Sequence, residues 1–323
     1  MGTVKTVRLG KSDLRISRVG IGTAPIGSNP AWSVNWGTQD EGSAIRAIRT
    51  ALDLGVDWID TAPFYGWGRA EEIVGKAVEG RREQVLIFTK CGTQQDGKGG
   101  WVENLKPASI RRELEASLHR LKTDYLDLYQ FHDPDPKTPI EESWSEMQKL
   151  IEEGKVRYGG LSNHPIDLLG RAMKIGPVAS HQIQYNPLER SIEKEMMPFC
   201  LQHSIGILGW GSLAEGFLTD NFDLDALDQG DFRRRHSYGQ RNNYGKIAKL
   251  KKDLRQIAGR RGKKLVDLVI AWELMHPALT GAIIGIRNEI EAKEMLGGVA
   301  WQLDQGEMKA MESALSVWET SSN

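Results

Sequence analysis

The sequence predicts an α/β protein, a (β/α)8 TIM barrel with an N-terminal β-hairpin, on three observations. Short apolar, β-branched runs alternate with amphipathic helical patterns, the mark of βαβ units and a parallel sheet. After an opening hairpin the runs number eight, which closes a barrel rather than extending an open sheet. The 323 residues exceed the ~250 that a barrel core needs, and no repeat, low-complexity tract or linker divides them. Residues 1–323 are therefore read as one domain.

The elements follow in order. Val4–Leu9 and Leu14–Ser17 flank Gly10-Lys11-Ser12-Asp13, a hairpin pattern that would plug the barrel floor or cap one end. The expected barrel strands are Val19–Thr23, Val56–Ala62, Val85–Lys90, Leu126–His132, Val156–Asn163, Ser180–Asn186, Gly206–Leu213 and Leu279–Ile286. Helices are expected over 41–54, 70–79, 107–121, 140–153, 165–174, 192–203, 243–261, 265–275, 288–296 and 305–316. Pro107 follows Lys106 where a missing N–H costs nothing, and Thr138 stands as an N-cap with Glu141 placed for a capping box. Ile110, Leu114, Leu118 and Leu121 share one stripe that would face the sheet, and Gly154 sits just past a helix end. The longest irregular stretch, 214–242, follows the seventh strand, and a loop of that length in a compact domain is usually functional.

Composition narrows the function classes. The net charge is −1 with both signs interspersed, and no like-charge block exceeds Arg233-Arg234-Arg235, so there is no electrostatic footprint for nucleic acid or a membrane surface. Cys91 and Cys200 lie far apart in no metal-binding pattern and read as two structural thiols in a reducing compartment; no metal is expected. The N-terminal stretch has no apolar core of a signal peptide, and no apolar run is long enough to span a bilayer. The expected location is the cytoplasm. The sequence carries no signal for an oligomeric state.

Active sites of such barrels occupy the C-terminal ends of the strands. Asp60, Tyr65, Lys90 and His132 fall there and would converge at one mouth. A tyrosine near pKa 10 is a poor acid at neutral pH, and an adjacent ammonium lowers that value. Lys90 would supply the ammonium, Asp60 would hold it charged, and His132 could donate to a carbonyl oxygen as negative charge builds. The set polarises a carbonyl and hands it a proton, but contains no nucleophile–base pair and no paired carboxylates.

Asp60-Thr61-Ala62-Pro63-Phe64-Tyr65-Gly66, Thr89-Lys90 and Gln130-Phe131-His132 resemble the three signature regions of the aldo-keto reductase superfamily, and the likeness runs from the hairpin to the eighth strand. The segment after the seventh strand is similar to that of bacterial and archaeal branches that also resemble potassium-channel β-subunits. The resemblance implies Tyr65 as general acid/base, Lys90 as its partner, Asp60 as the partner of Lys90, and His132 as the group that orients a small carbonyl or alcohol substrate.

The resemblance also implies a nicotinamide cofactor above Asp60. Ser162, Asn163 and Gln182 match positions that bond the carboxamide, and Trp210 stands where the family usually stacks a tyrosine on the nicotinamide. Gly211, Ser212, Leu213 and Gly216 match the pyrophosphate loop, and Gly22 and Thr23 the turn after the first strand. The adenosine end falls on Gly285 to Asn288, where Arg287 suits a 2′-phosphate. Glu291 stands where relatives often carry Gln or Arg, and Met295 where they often carry Asn; a carboxylate there would repel a phosphate. NADP(H) is favoured over NAD(H).

Trp32, Trp36, Trp67 and Trp101 fall in loops at the mouth, either as local packing or, with Phe64, as an aromatic-walled substrate pocket built from Trp32, Phe64 and Trp101. Arg233-Arg234-Arg235 reads as a solvated surface run, with a cofactor clamp as the sharper alternative. His181 reads as structural. Two other functions stay open on sequence: a nicotinamide-binding, redox-sensing subunit with poor turnover, and a barrel lyase or isomerase without nicotinamide.

Overall fold

The computed structural model describes residues 5–319. Val4, the expected start of the hairpin, lies outside the described residues. β1 (Thr6–Arg8) and β2 (Arg15–Ser17) pair antiparallel with Thr6 opposite Ser17. Then come β3 (Val19–Gly22), α1 (Glu41–Asp53), β4 (Trp58–Asp60), α2 (Arg69–Ala77) and β5 (Leu86–Cys91). A second antiparallel hairpin, β6 (Thr93–Gln95) and β7 (Trp101–Glu103), precedes α3 (Pro107–Leu121), β8 (Leu126–Phe131), α4 (Ile140–Glu152), β9 (Val156–Ser162) and α5 (Ile166–Met173). The chain continues through β10 (Ser180–Gln184), α6 (Met196–His203), β11 (Gly206–Trp210), α7 (Arg241–Gly259), α8 (Leu265–Met275), β12 (Leu279–Gly285), α9 (Glu289–Glu294) and α10 (Gln305–Glu319). The eight parallel strands β3, β4, β5, β8, β9, β10, β11 and β12 close into a barrel in that order. Among the described residues, no helix is long and apolar enough to cross a membrane.

Local chemistry sets several boundaries. Pro107 occupies the first helical position after Lys106, and Ile110, Leu114, Leu118 and Leu121 are all buried. Gly154, at φ +76°, ends α4 in the left-handed region that glycine adopts without strain. The expected capping box at Thr138 does not form. The Asp135 carboxylate takes the Thr138 hydroxyl at 2.7 Å as well as the N–H of Leu105 at 2.9 Å, and α4 starts after Pro139 with no side-chain cap. The expected helix over 192–203 divides into a 3₁₀ turn, Ser191–Glu193, and α6. Pro198 explains the break, because its ring would clash with a helical carbonyl at Lys194. The β6–β7 hairpin was not expected, although Asp96-Gly97 and Gly99-Gly100 are hairpin-turn pairs.

The first hairpin plugs the floor. Leu9, Leu14 and Ile16 are buried in one cluster with Trp58, Phe88, Leu128 and Leu208 from the barrel interior. The Trp58 indole donates to Ser17 O at 2.9 Å and lies so close to Gly20 that a Cβ there would sit 2.2 Å from the ring. Only glycine fits beneath that indole. The hairpin turn is pressed equally hard, since a Cβ on Gly10 would be 2.5 Å from the Ala179 carbonyl oxygen.

At the opposite end, the 214–242 segment is organised by three 3₁₀ turns, Ala214–Gly216, Phe232–Arg234 and Ser237–Gly239. It meets the β3–α1 loop: Phe232 N donates to Asn35 O at 2.9 Å, Thr38 N to Asp228 Oδ2 at 3.0 Å, and Arg235 to Ser33 O at 3.1 Å.

Truncating the plug leaves a cavity that the closed barrel cannot collapse. Leu9→Ala is expected to lower the unfolding free energy by about 3 kcal/mol, read as a shift in the denaturant midpoint. A loss below about 1 kcal/mol would mean that the hairpin is not part of the core.

Candidate active site

Four strands deliver one polar cluster to the mouth. Asp60 ends β4, Lys90 lies near the end of β5, Gln130 is in β8 and Gln182 is in β10. All four are buried. Lys90 Nζ donates to Asp60 Oδ1 at 2.5 Å, to Thr61 O at 3.1 Å and to Tyr65 Oη at 3.1 Å, which uses its three protons. Asp60 Oδ2 accepts from Gln182 Nε2 at 2.7 Å and Gln130 Nε2 at 3.4 Å. Tyr65 is held by the turn after β4, where Gly66, Trp67 and Gly68 all have positive φ. A Cβ on Gly66 would fall 1.8 Å from Gly27 O, so glycine is required for that close approach. His132 follows β8, its N–H donating to Cys91 O at 2.9 Å, and its ring stands edge-on to Tyr65 at 5.7 Å between centroids.

The charges differ from the sequence expectation in one respect. Lys90 was expected to draw the phenol below its ordinary value. Instead burial pushes the Tyr65 phenol up to about 12; the Lys90 ammonium pulls it down by less, and the Asp60 carboxylate adds to the rise. Burial alone would lower Lys90, but the Asp60 carboxylate and Tyr65 lift it above its ordinary value. Burial, reinforced by Lys90, holds the His132 imidazole well below its ordinary value. At neutral pH the cluster is thus a charged Lys90, an undissociated phenol and a neutral imidazole.

A cavity of about 1150 Å³ opens over the cluster. Its walls take in Asp60, Tyr65 and His132, the strand-one residues Gly22 and Thr23, and Ser162, Asn163, Gln182 and Trp210. It continues past Gly211, Ser212, Leu213 and Gly216 to Gly285, Arg287 and Glu291. Trp32 and Phe64 line it, with ring centroids 5.4 Å apart. Lys90 lies beneath the surface. Trp101 is half exposed on β7, edge-on to Phe64 at 5.5 Å, and is not part of the cavity wall.

Individual side chains are differently engaged. Ser162 Oγ is buried with no protein partner. The Gln182 amide nitrogen is held by Asp60. Asn163, at φ +57°, donates to His132 O at 3.1 Å and Asp133 Oδ1 at 3.0 Å and accepts from Trp210 Nε1 at 3.0 Å. Gly211 and Gly216 have φ of +71° and +90°. Arg287 donates to Gln39 Oε1 at 3.0 Å and to Thr38 O. The Glu291 carboxylate accepts from Arg287 N at 2.7 Å and Asn288 Nδ2 at 2.9 Å.

The arginine run is not a solvated stripe. Arg233 is buried, bound to both oxygens of Asp231 at 2.9 and 2.6 Å, and lies 4.9 Å over the Trp36 ring on the cavity wall. Arg234 donates to the carbonyls of Asp225 and Leu227, and only Arg235 is exposed. Sequence reasoning missed Asp133 and Glu215, which both line the cavity. Adjacency to His132 at a strand end was a sufficient signal for Asp133. Glu215 sits between two residues already nominated. Burial pushes its carboxyl up to about 7, with Arg233 pulling the other way.

The aldo/keto reductase family profile matches residues 18–316. An aldo-keto reductase of Bacillus subtilis, YhdN, is 36% identical over 307 residues, covering 94% of this chain and 91% of its own. The NADH-specific methylglyoxal reductase of Escherichia coli is 32% identical, covering 97% of this chain and 99% of its own. Among solved structures, a glycerol dehydrogenase from Gluconobacter oxydans superposes with a TM-score of 0.87 at 34% identity, covering 98% of this chain and 96% of that one. An aldo/keto reductase from Klebsiella pneumoniae in complex with NADP and acetate gives 0.72 at 28% identity, with coverages of 96% and 94%.

Behind the loop after β11 lies a carboxyl that the sequence did not single out. Glu273 is fully buried; Oε1 accepts from Ser212 Oγ at 3.0 Å, and Oε2 has no partner. Burial holds this carboxyl well above its ordinary value, against smaller pulls from Ser212 and Arg18. The folded state therefore keeps a proton that the unfolded chain releases above about pH 4.3. The resulting destabilisation grows as pH rises until the folded pKa is passed. Glu273→Gln, an isostere of the neutral acid, is expected to raise Tm at pH 8, with the gap over the parent protein narrowing toward pH 5. A gap independent of pH would mean that the carboxylate is ionised in the fold.

Proposed function

The chain belongs to the aldo/keto reductase family, and from that premise we propose that it reduces the carbonyl of a small aldehyde, ketone or sugar by reversible hydride transfer from NADP(H), with Tyr65 as general acid/base. The observation that carries this reading is Lys90 Nζ, 3.1 Å from the Tyr65 hydroxyl and 2.5 Å from Asp60, at the mouth of a closed barrel.

The residues present fit a dinucleotide. Ser162 offers an unpartnered buried hydroxyl, and the positive-φ glycines 211 and 216 leave backbone bare in the elongated cavity. When bound, the nicotinamide supplies the hydride to the carbonyl carbon. Trp210 offers an indole face at that end, and Ser162, Asn163 and Gln182 the polar wall beside it. Ser212, Gly211 and Gly216 would hold the pyrophosphate, and Arg287 the adenosine end.

The chain's own part is proton management. His132, neutral through burial, donates to the carbonyl oxygen and needs no counter-charge. Tyr65 keeps its proton at neutral pH, so it is loaded as a donor. When the proton leaves, the phenolate forms beside the Lys90 ammonium, which is where the ion pair contributes. Asp60 keeps Lys90 charged and fixes its position.

Arg287 supports the choice of NADP(H). It is a cation on the far arm of the cavity, while the nearby Glu291 carboxylate is turned onto Arg287 N and Asn288. Burial also pushes Glu291 above the ordinary carboxylate range, which weakens its repulsion of a phosphate.

Tyr65→Phe is expected to lower kcat by about 10²–10⁴-fold while the Tm increase on adding NADPH is unchanged. Full activity in this variant would remove Tyr65 as the proton donor. In parallel titrations, Arg287→Ala is expected to weaken NADPH binding about tenfold, on the order of 1.4 kcal/mol, and to leave NADH binding within about twofold. Equal losses for both cofactors would assign Arg287 a structural role.

A further inference from the structure

The cavity wall beside Tyr65 carries a carboxylate that proton transfer does not use. Asp133 follows His132 and lines the cavity. Its Oδ1 accepts from Asn163 Nδ2 at 3.0 Å, and no other donor among the described residues reaches the carboxylate within hydrogen-bond distance. It adjoins His132, whose ring stands 5.7 Å from that of Tyr65, and its carboxylate adds to the rise of the Tyr65 phenol. Trp32 and Phe64 form an apolar wall against Tyr65, with ring centroids 6.1 and 6.4 Å from the phenol ring.

Among the described residues no cation forms an ion pair with Asp133. Lys90 is buried beneath Tyr65 and paired to Asp60. The other cations on the cavity wall are Arg233, paired with Asp231, Lys264, paired with Glu294, and Arg287, which stands on the far arm of the cavity bonded to the neutral Gln39. A substrate carboxylate or phosphate beside Tyr65 would meet a like charge with no counter-ion. A substrate hydroxyl would meet an acceptor oxygen lacking a donor, and a hydrogen bond to a charged group in a partly desolvated wall discriminates strongly against the analogue without it.

We propose that Asp133 makes this a reductase of hydroxylated carbonyl compounds: it accepts a hydrogen bond from a hydroxyl on the carbon next to the carbonyl and disfavours substrates whose chain on that side of the carbonyl ends in an anionic group. The inference rests on the reading of Tyr65 and His132 as the carbonyl-binding pair. The aromatic wall suits the C–H face of such a molecule.

The test compares kcat/KM for lactaldehyde, its isostere 2-methylpropanal and the anionic succinate semialdehyde, with NADPH and with NADH. The parent protein is expected to prefer lactaldehyde over 2-methylpropanal by tenfold or more. Asp133→Leu should bring that ratio close to one, mainly through KM for lactaldehyde. Asp133→Asn should raise succinate semialdehyde relative to 2-methylpropanal by fivefold or more. Should Asp133→Leu fail to fold, the near-isosteric Asn variant carries the test through the anion ratio. A parent ratio near one, or ratios that the substitutions leave unmoved, overturns the assignment while ordinary turnover of 2-methylpropanal leaves the reductase reading intact. Binding of cofactor without turnover of any carbonyl overturns both.

Discussion

The buried ion pair between Lys90 and Asp60 is the interaction on which the rest of the site depends. Neither side chain is exposed, and removing two charges from water is costly unless every remaining donor and acceptor is satisfied. Here they are satisfied by groups from four places: Thr61 O, the Tyr65 hydroxyl, Gln182 and Gln130. The pair therefore ties the mouth ends of β4, β5, β8 and β10 to one another. Deleting either member would strand the other charge in the barrel, a loss of about 3–5 kcal/mol in comparable cases. Apolar residues of similar volume would often be as stable or more so, so packing alone does not account for the pair.

The two ends of the barrel are built from opposite materials. At the floor, apolar side chains of the hairpin fill the space around Trp58, and glycines at 20 and 281 let the indole lie flat against the strands. At the mouth the chain keeps polar groups with open valences, Ser162 among them. The two long loops bind each other through backbone groups and side chains alike, and Trp36, packed on Phe232 and beneath Arg233, makes that junction part of the cavity wall.

How much was legible in the sequence follows from the range of each interaction. Strand alternation, the proline start and glycine end of helices, and the four polar strand ends are local signals, and the structure brings the four together. The capping expectation at Thr138 was lost to Asp135, three residues away but outside the capping pattern. The direction of the Tyr65 shift was beyond sequence, because adjacency of Lys90 can be inferred from strand order whereas full burial of the phenol cannot. Arg233 was misread for the same reason. Three consecutive arginines look solvated until a turn folds one of them under Trp36.

Asn163 links the indole of Trp210 to the strand end that carries Asp133. An indole N–H only donates, so Trp210 obliges the Asn163 carbonyl oxygen to face β11. The amide protons then have one direction left, toward the β8 side, where they meet His132 O and one oxygen of Asp133. His132 O and Asp133 Oδ1 only accept, so they hold the amide in the same orientation that the indole N–H requires. The indole and the two acceptors thus agree on one orientation of the amide, the amide engages one oxygen of the carboxylate, and the oxygen of Asp133 that Asn163 does not engage remains as an acceptor on a residue of the cavity wall.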